Sequence, residues 1–383
     1  MRLYEYEGKE LFKQYGIATP IGVLAKTGAE AREAAVQISK EVVVKAQVLT
    51  GGRGKAGGIK IAQTPEDAEK IAGELFGMEI QGYRVSSLLI EEKLDIASEI
   101  YMGITVDDRK GVPVAIVSAE GGIAIEELAE SNPEGITCKS IDPLLGIRNY
   151  DAVNLLRQVG LTGQSLVTAS KIILQLYQVF SSLDARVAEI NPLIMTVDGR
   201  MIAGDSRCEI DDHSLIRHPR WQELRSQRID NVWEREAVKY GVNYLDLDGN
   251  IAVMANGAGL TMALMDMIKL QGARPACFLD TGGGLSRERM KNAVSLLLRK
   301  AKTESQIKVV LIMVRLMISP PDVVAEGLLE AINEIEVTIP VITIMRGREP
   351  YEKRARALLS GARIKLHSSI EEGLAEAIAI AKG

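Results

Sequence analysis

Aromatic side chains make up only 4% of this 383-residue chain, which leaves few rings on which nucleic-acid bases could stack. A net charge of −5, with no long basic tract, argues further against a general nucleic-acid binder. Cysteine is scarce too: Cys138, Cys208 and Cys277 lie scattered without zinc-ligand spacing, as suits a reducing compartment. No apolar run is long enough to span a bilayer, and the opening Met1-Arg2-Leu3-Tyr4-Glu5 has no apolar signal core. These absences lead us to expect a cytoplasmic protein that meets neither membrane nor nucleic acid. There are only three histidines, His213, His218 and His367, and none stands in a glycine-rich strand-to-helix turn. No nucleophilic triad is visible.

Apolar residues at 46% and charged residues at 25% are a globular composition, and the length suits two or three domains. Glycine is concentrated in Gly51-Gly52-Arg53-Gly54-Lys55-Ala56-Gly57-Gly58, after a strand-like run over 42–48. Backbone that can turn freely and present N–H groups, together with Lys45, Arg53 and Lys55, suits a polyphosphate. A mobile surface loop has the same composition, and the loop alone does not separate the two. It is not the common P-loop, because no Gly-Lys-Ser/Thr follows at the required spacing.

Periodicity predicts helices over 4–15 and 28–40, and a helix start at Thr64 with Pro65 at its first position. Strands are predicted over 85–91, 100–106 and 112–118, then one long helical region over 151–181. A hairpin follows, 187–197 and 200–205 around Asp198-Gly199. The polar stretch 211–242 reads as a linker, which places the domain boundary near 240. Beyond it strands and helices alternate, with strands over 251–255, 276–279, 308–313, 341–344 and 364–367. That is the pattern of a doubly wound parallel sheet, whose ligand edge lies at the strand C-termini.

Phosphoryl chemistry runs through Mg2+, which takes carboxylate and amide oxygens and keeps several waters. The hairpin supplies Glu189, Asn191 and Asp205. Simple pairing about the turn sets Asp205 opposite Pro192 and sends Asn191 and Asp205 to opposite faces, so a bulge or bend at Pro192 is needed to unite them. A solvated polar face is the plain alternative. Glu91 at a strand end suits an adenine amine or a ribose hydroxyl, and Glu99 suits the phosphate side. Either also reads as a surface charge.

Together these blocks resemble the β subunit of the succinyl-CoA synthetase family, the nucleoside-diphosphate-forming acyl-CoA ligases. The likeness runs from Tyr4-Glu5-Tyr6-Glu7-Gly8-Lys9 through Glu120-Gly121-Gly122 and Ala188-Glu189-Ile190-Asn191-Pro192 to Asn256-Gly257-Ala258-Gly259 and Asp280-Thr281-Gly282-Gly283-Gly284. The resemblance implies an α/β chain: an ATP-grasp domain over 1–240, with a mobile small lobe about 20–100, then a flavodoxin-like CoA-ligase domain over 241–383. It implies that Lys45, Gly52, Arg53, Gly54, Glu91 and Glu99 bind ATP or GTP, and that Asn191 and Asp205 hold Mg2+. Asn256, Ile318 and Ser319 fall at its contacts to a carboxylic acid, succinate in the family. Glu189 falls at the acid that helps hold a phosphohistidine. That histidine, and most of the CoA site, belong to a partner α subunit in a hetero-oligomer of the tricarboxylic acid cycle.

The chain departs from the family at Met313-Val314-Arg315-Leu316-Met317-Ile318-Ser319-Pro320-Pro321-Asp322. The resemblance calls for an Asn at 313 and glycines at 316 and 317, whose backbone N–H groups can approach a carboxylate. Ser319 as N-cap, Pro320 at the first helical position and Asp322 in the first turn still predict a helix there. A second departure, Met345-Arg346-Gly347-Arg348, either rebuilds an anion site or is simply solvated. Three readings follow: a ligase subunit for succinate, one for another acid such as malate or citrate, or a regulatory nucleotide-binding subunit. A nicotinamide dehydrogenase built on Asn256-Gly257-Ala258-Gly259 is disfavoured by Met262 at the third glycine position.

Overall fold

In Val42-Val43-Val44-Lys45-Ala46 every second residue is buried and the residues between are half-buried, the signature of a strand covered on one face. In the computed structural model, which describes residues 1–229, 231–336 and 338–383, this strand lies within an antiparallel sheet. The order is Gly22–Ala25, Leu88–Glu92, Val42–Ala46, Ile59–Ala62. Helices Gly28–Ile38 and Pro65–Leu75 cover one face, and Ala31, Ala35, Val44, Ala68, Ala72 and Ile90 share a core. Thr64 caps the second helix as predicted, accepting from the Asp67 N–H, with Pro65 behind it. Because Val44 and Ile90 face the helices, alternation turns Lys45 and Glu91 to the other side. These elements lie within the stretch about 20–100 expected to form a small lobe.

The same unit, Met1–Pro219, holds a six-stranded antiparallel sheet. Its order is Met201–Ala203, Ala185–Thr196, Ile96–Asp107, Val112–Ser118, Ile136–Ser140, and Arg207–Ile210 pairs with the second of these. The helical region expected over 151–181 forms as two helices, Asn149–Gln158 and Gly163–Ser182. Gly160, at φ 83°, ends the first in the left-handed region that glycine adopts without strain. The hairpin register also differs from the simple one. Leu193 pairs with Ala203 and Glu189 with Arg207, so position 191, not Pro192, stands across from Asp205. The irregularity is real but falls on the other neighbour, where pairing with Ile96–Asp107 shifts between Ile190 and Leu193.

The second unit is Arg220–Gly383, so the division falls before the expected 240. The helix Val232–Lys239 accounts for this: Ala237 joins the second core, Trp233 donates to Glu304 at 3.0 Å, and Glu236 accepts from Arg299. The sheet runs Asn243–Asp246, Pro275–Asp280, Ile251–Ala255, Val309–Leu316, Val341–Gly347, Lys365–His367. All pairings are parallel except that of the first strand, an antiparallel edge not anticipated. The five parallel strands have the flavodoxin order 2-1-3-4-5. The helix after Ile251–Ala255 packs in one core and the helix after Val309–Leu316 in the other. The sheet's topological switch point therefore lies between these two strands.

Candidate functional site

The helix Glu5–Gln14 buries Glu5, Gly8, Lys9 and Phe12, a helical stripe that carries two charges into the interior. Those charges meet the free face of the small-lobe sheet. Lys9 donates to Glu5 at 2.7 Å, to both oxygens of Glu91 at 2.6 and 2.7 Å, and to the Gly204 carbonyl at 2.8 Å. Lys45 reaches the same three groups: Glu5 at 2.9 Å, Gly204 O at 2.7 Å and Glu91 at 2.7 Å. Gln47 donates to Glu5 at 3.2 Å.

The glycine loop closes this cluster. Its backbone turns back on itself, with the Gly58 N–H on the Arg53 carbonyl at 2.8 Å. Arg53 points inward and Lys55 outward, toward Glu127 on the surface. The Arg53 guanidinium donates to Glu5 at 2.6 Å and grips both oxygens of Asp205 at 2.8 and 2.7 Å. Gly52 and Gly54 flank it and are exposed. Of the two basic loop residues, only Arg53 belongs to the site.

Electrostatics follow from this packing. Burial by itself would raise the Glu5 pKa, yet Arg53, Lys45 and Lys9 hold it well below the ordinary carboxylate value. Burial pushes the Lys9 ammonium down, whereas Glu5, Glu91 and Asp205 overcome burial and raise Lys45. Arg53 is raised too, by Asp205 and Glu5 against burial. Lys45 and Arg53 are thus firmly cationic groups. Glu91, expected at the adenine or ribose, is 2% exposed and occupied by two ammonium groups.

A second group lies along the large sheet. The Asn191 amide accepts from the Gly122 N–H at 2.8 Å and donates to the Ile123 carbonyl at 2.8 Å. Gly122 needs its φ of 77°, and a Cβ there would stand 2.7 Å from Glu99 Oε2. Glu99 and Asn191 are therefore brought together around one glycine, and burial raises the Glu99 pKa. Glu189 accepts from the Tyr101 hydroxyl at 3.3 Å and lies 3.8 Å from Arg207. Burial raises its pKa.

The hairpin register ties the two groups together. Asn191 stands across from Asp205 and Glu189 pairs with Arg207. A half-buried amide oxygen and a part-exposed carboxylate across one hairpin are hard oxygen donors of the kind that fit Mg2+. Among the described residues no three His, Cys, Asp or Glu side chains form a metal cluster. A Mg2+ that keeps its waters needs no such cluster.

The sequence reading missed Glu5, Lys9, Gln47 and the Gly204 carbonyl. The signal for two of them was present: Glu5 and Lys9 share the buried stripe of the first helix with Phe12. A carbonyl acting from a loop nearly two hundred residues away leaves no local trace.

At the carboxyl end of the second sheet, Asn256 uses both ends of its amide on one residue. Its Nδ2 donates to the Arg315 carbonyl at 2.8 Å, and its Oδ1 accepts the Arg315 N–H at 2.7 Å. Ile318 is 78% exposed and Ser319 is half-buried. Ser319 does not cap the helix as predicted: Pro320 occupies the N-cap and the helix is Pro321–Glu334. A residue before proline avoids the helical region, so Pro321 forces Pro320 to remain extended, at φ −63° and ψ 125°. His218 is engaged with Asp184 at 2.8 Å and His367 with Glu376 at 2.6 Å, while His213 is exposed.

Comparison with known proteins agrees with this arrangement. An ATP-grasp domain family matches residues 2–195, and a CoA-ligase family matches residues 254–380. The chain is 40% identical over 382 residues to the succinate–CoA ligase [ADP-forming] subunit beta of Ignicoccus hospitalis, covering 100% of both. It is 39% identical over 383 residues to the succinate–CoA ligase [GDP-forming] subunit beta of Thermus thermophilus, again covering 100% of both. An ATP citrate lyase structure from Methanothrix soehngenii, in complex with citrate and coenzyme A, shares the fold. Its TM-score is 0.76 at 20% identity, over 99% of each chain.

Proposed function

The chain belongs to the succinate–CoA ligase β-subunit family, an ATP-grasp domain followed by a CoA-ligase domain, and from that premise we propose how its residues divide the work. It binds the nucleotide and the carboxylic acid, and exchanges a phosphoryl group with a histidine carried by an α-type, CoA-binding partner. The overall reaction is succinate, CoA and ATP to succinyl-CoA, ADP and phosphate. The observation that carries this reading is the convergence of Lys45 from a strand, Arg53 from the glycine loop and Asp205 from the link between Met201–Ala203 and Arg207–Ile210, with Asn191 across the hairpin from Asp205.

Phosphoryl transfer needs spreading negative charge to be neutralised by groups already in place. Lys45 and Arg53 are such groups, buried and permanently charged. Gly52 and Gly54 leave the backbone beside Arg53 open to close approach. Asn191 and Asp205 would hold Mg2+, which supplies further neutralisation of the phosphate oxygens when bound. Glu99 lies beside Asn191, across Gly122, and Glu91 holds Lys45. Glu189, with a raised pKa and a weak hold on Arg207, would accept from an imidazole N–H of the partner's histidine. The chain's own histidines are engaged elsewhere or exposed, which leaves that role to the partner.

The test is reconstitution. The purified chain should bind Mg-ATP but form no acyl-CoA, and turnover should appear when an α-type subunit is added. Robust ligation by the single chain would overturn the division of labour. A chain that binds nucleotide, yet stays inactive with every acid when the partner is present, would favour the regulatory reading.

A further inference from the structure

The resemblance calls for glycines at 316 and 317, so that backbone N–H groups can cradle a carboxylate. This chain has no such cradle. The strand Val309–Leu316 runs straight through that position, with Arg315 paired to Arg346 and Leu316 to Gly347. Leu316 is 1% exposed and packs with Val314, Val324 and Met345, so hydrophobic burial holds the backbone extended. The Arg315 N–H and C=O are both consumed by Asn256. No backbone donor at 315 is left for an anion, and the Asn256 amide oxygen and one of its two N–H donors are already committed to Arg315.

What remains there is the Arg315 side chain. It is exposed and has no ion-pair or hydrogen-bond partner among the described residues. It stands at the end of the strand next to Ile251–Ala255, at the switch point where ligands of doubly wound sheets bind. Arg346 lies beside it in register, exposed and only 3.7 Å from Glu352 at its nearest. Two guanidinium groups on strands about 4.8 Å apart repel one another unless an anion lies between them. Met317, 56% exposed, and Ile318 add apolar surface next to them.

We propose that Arg315, with Arg346 beside it, is the carboxylate-recognition group of the acid site in this chain. The substrate class is then an aliphatic acid with at least one carboxylate beyond the one that is activated, gripped by a guanidinium fork instead of backbone N–H groups. Asn256 is a positioning residue that fixes the Arg315 backbone. The proposal rests on the ligase reading above and deepens it.

The test is calorimetric binding of succinate and of citrate, and separately of Mg-ATP, to the full chain co-purified with its α-type subunit. Arg315→Gln should weaken the better-bound acid at least tenfold and leave Mg-ATP within twofold. Arg315→Lys should recover only part of the loss, because an ammonium cannot form the fork. Arg346→Gln should give a smaller loss in the same direction. Arg315 is exposed, so these variants are expected to fold, and an unchanged Mg-ATP affinity reports that they have. Unaltered acid binding in Arg315→Gln, or wild-type protein that binds neither acid at millimolar concentration, would overturn the proposal. Acid binding that depends on Arg315 in a protein that fails to bind Mg-ATP would uphold it and sink the nucleotide reading instead.

Discussion

Arg53 and Asp205, 152 residues apart in sequence, are joined by two hydrogen bonds of 2.8 and 2.7 Å. The proposed phosphate-binding cation and the proposed metal-binding carboxylate are therefore each other's counter-ion. The surrounding cluster balances as well: Glu5, Glu91 and Asp205 face Lys9, Lys45 and Arg53. If nucleotide phosphates and Mg2+ enter together, the metal would take Asp205 as the phosphates take Arg53, so that neither loses its counter-ion. Either one alone leaves a buried charge unmatched.

Asp205→Ala should therefore weaken Mg-ATP binding at least tenfold and also abolish the dependence of that binding on Mg2+. Calorimetry with ATP in the presence and absence of Mg2+ measures both. A variant whose ATP affinity still rises with Mg2+ would show that Asp205 is not the metal's ligand. Asn191→Ala should reduce the Mg2+ dependence less, since an amide contributes no charge.

Glu5 makes the stability of the first unit depend on pH. Its folded pKa lies well below the ordinary value because Arg53, Lys45 and Lys9 outweigh burial. A depressed carboxylate contributes stability that is fully present above its unfolded pKa of about 4.3 and is lost as pH falls toward the folded value. Thermal unfolding of the wild-type chain should show this acid limb below about pH 4.3, and Glu5→Gln should flatten it. Parallel curves for the two proteins below that pH would contradict the assignment.

Lys9 is the third cation of the cluster and is 4% exposed, so its loss leaves Glu5 and Glu91 short of a buried partner. Lys9→Met keeps most of the side-chain volume and should cost about 3–5 kcal/mol, the usual penalty for breaking a buried ion pair from one side. Urea denaturation measures it. A loss under about 1 kcal/mol would mean that the carboxylates find water or protonate at little cost.

The divergent stretch makes a contrasting pair of predictions. Leu316 is 1% exposed, so Leu316→Gly should destabilise the second unit by about 3–5 kcal/mol through the cavity and the freed backbone. Met317 is 56% exposed, and Met317→Gly should cost about 1 kcal/mol or less. Chemical denaturation of both variants decides whether Leu316 is structural. Equal small losses would mean the strand end is not held by that side chain.

Much of the architecture was legible because it follows from local rules. The alternation in 42–46, the Thr64-Pro65 helix start and the strand–helix rhythm after 250 each formed where expected. Where the reading failed, a neighbour not visible in the pattern had decided. Pro321 moved a helix start by one residue. Trp233 and Ala237 drew a supposed linker into the second core. The candidate site divides the same way. Lys45, Arg53, Asn191 and Asp205 stand out by type and by the blocks that carry the resemblance. The burial of Glu5 and Lys9 on the apolar stripe of a helix was readable only to someone asking why charges sat there.

The sequence by itself determined the order of the two folding units, the family and the residue types available for phosphate and metal. These depend on periodicity, turn chemistry and matched blocks, all short-range along the chain. Only the tertiary structure decided which charges face which. It turned Arg53 inward and Lys55 outward, set Asn191 across from Asp205 by a register one residue from the simple one, and spent Asn256 on the backbone of Arg315. Charges act on their neighbours in space within a few ångströms. Those neighbours are assigned by packing and strand register, which chain order alone does not specify.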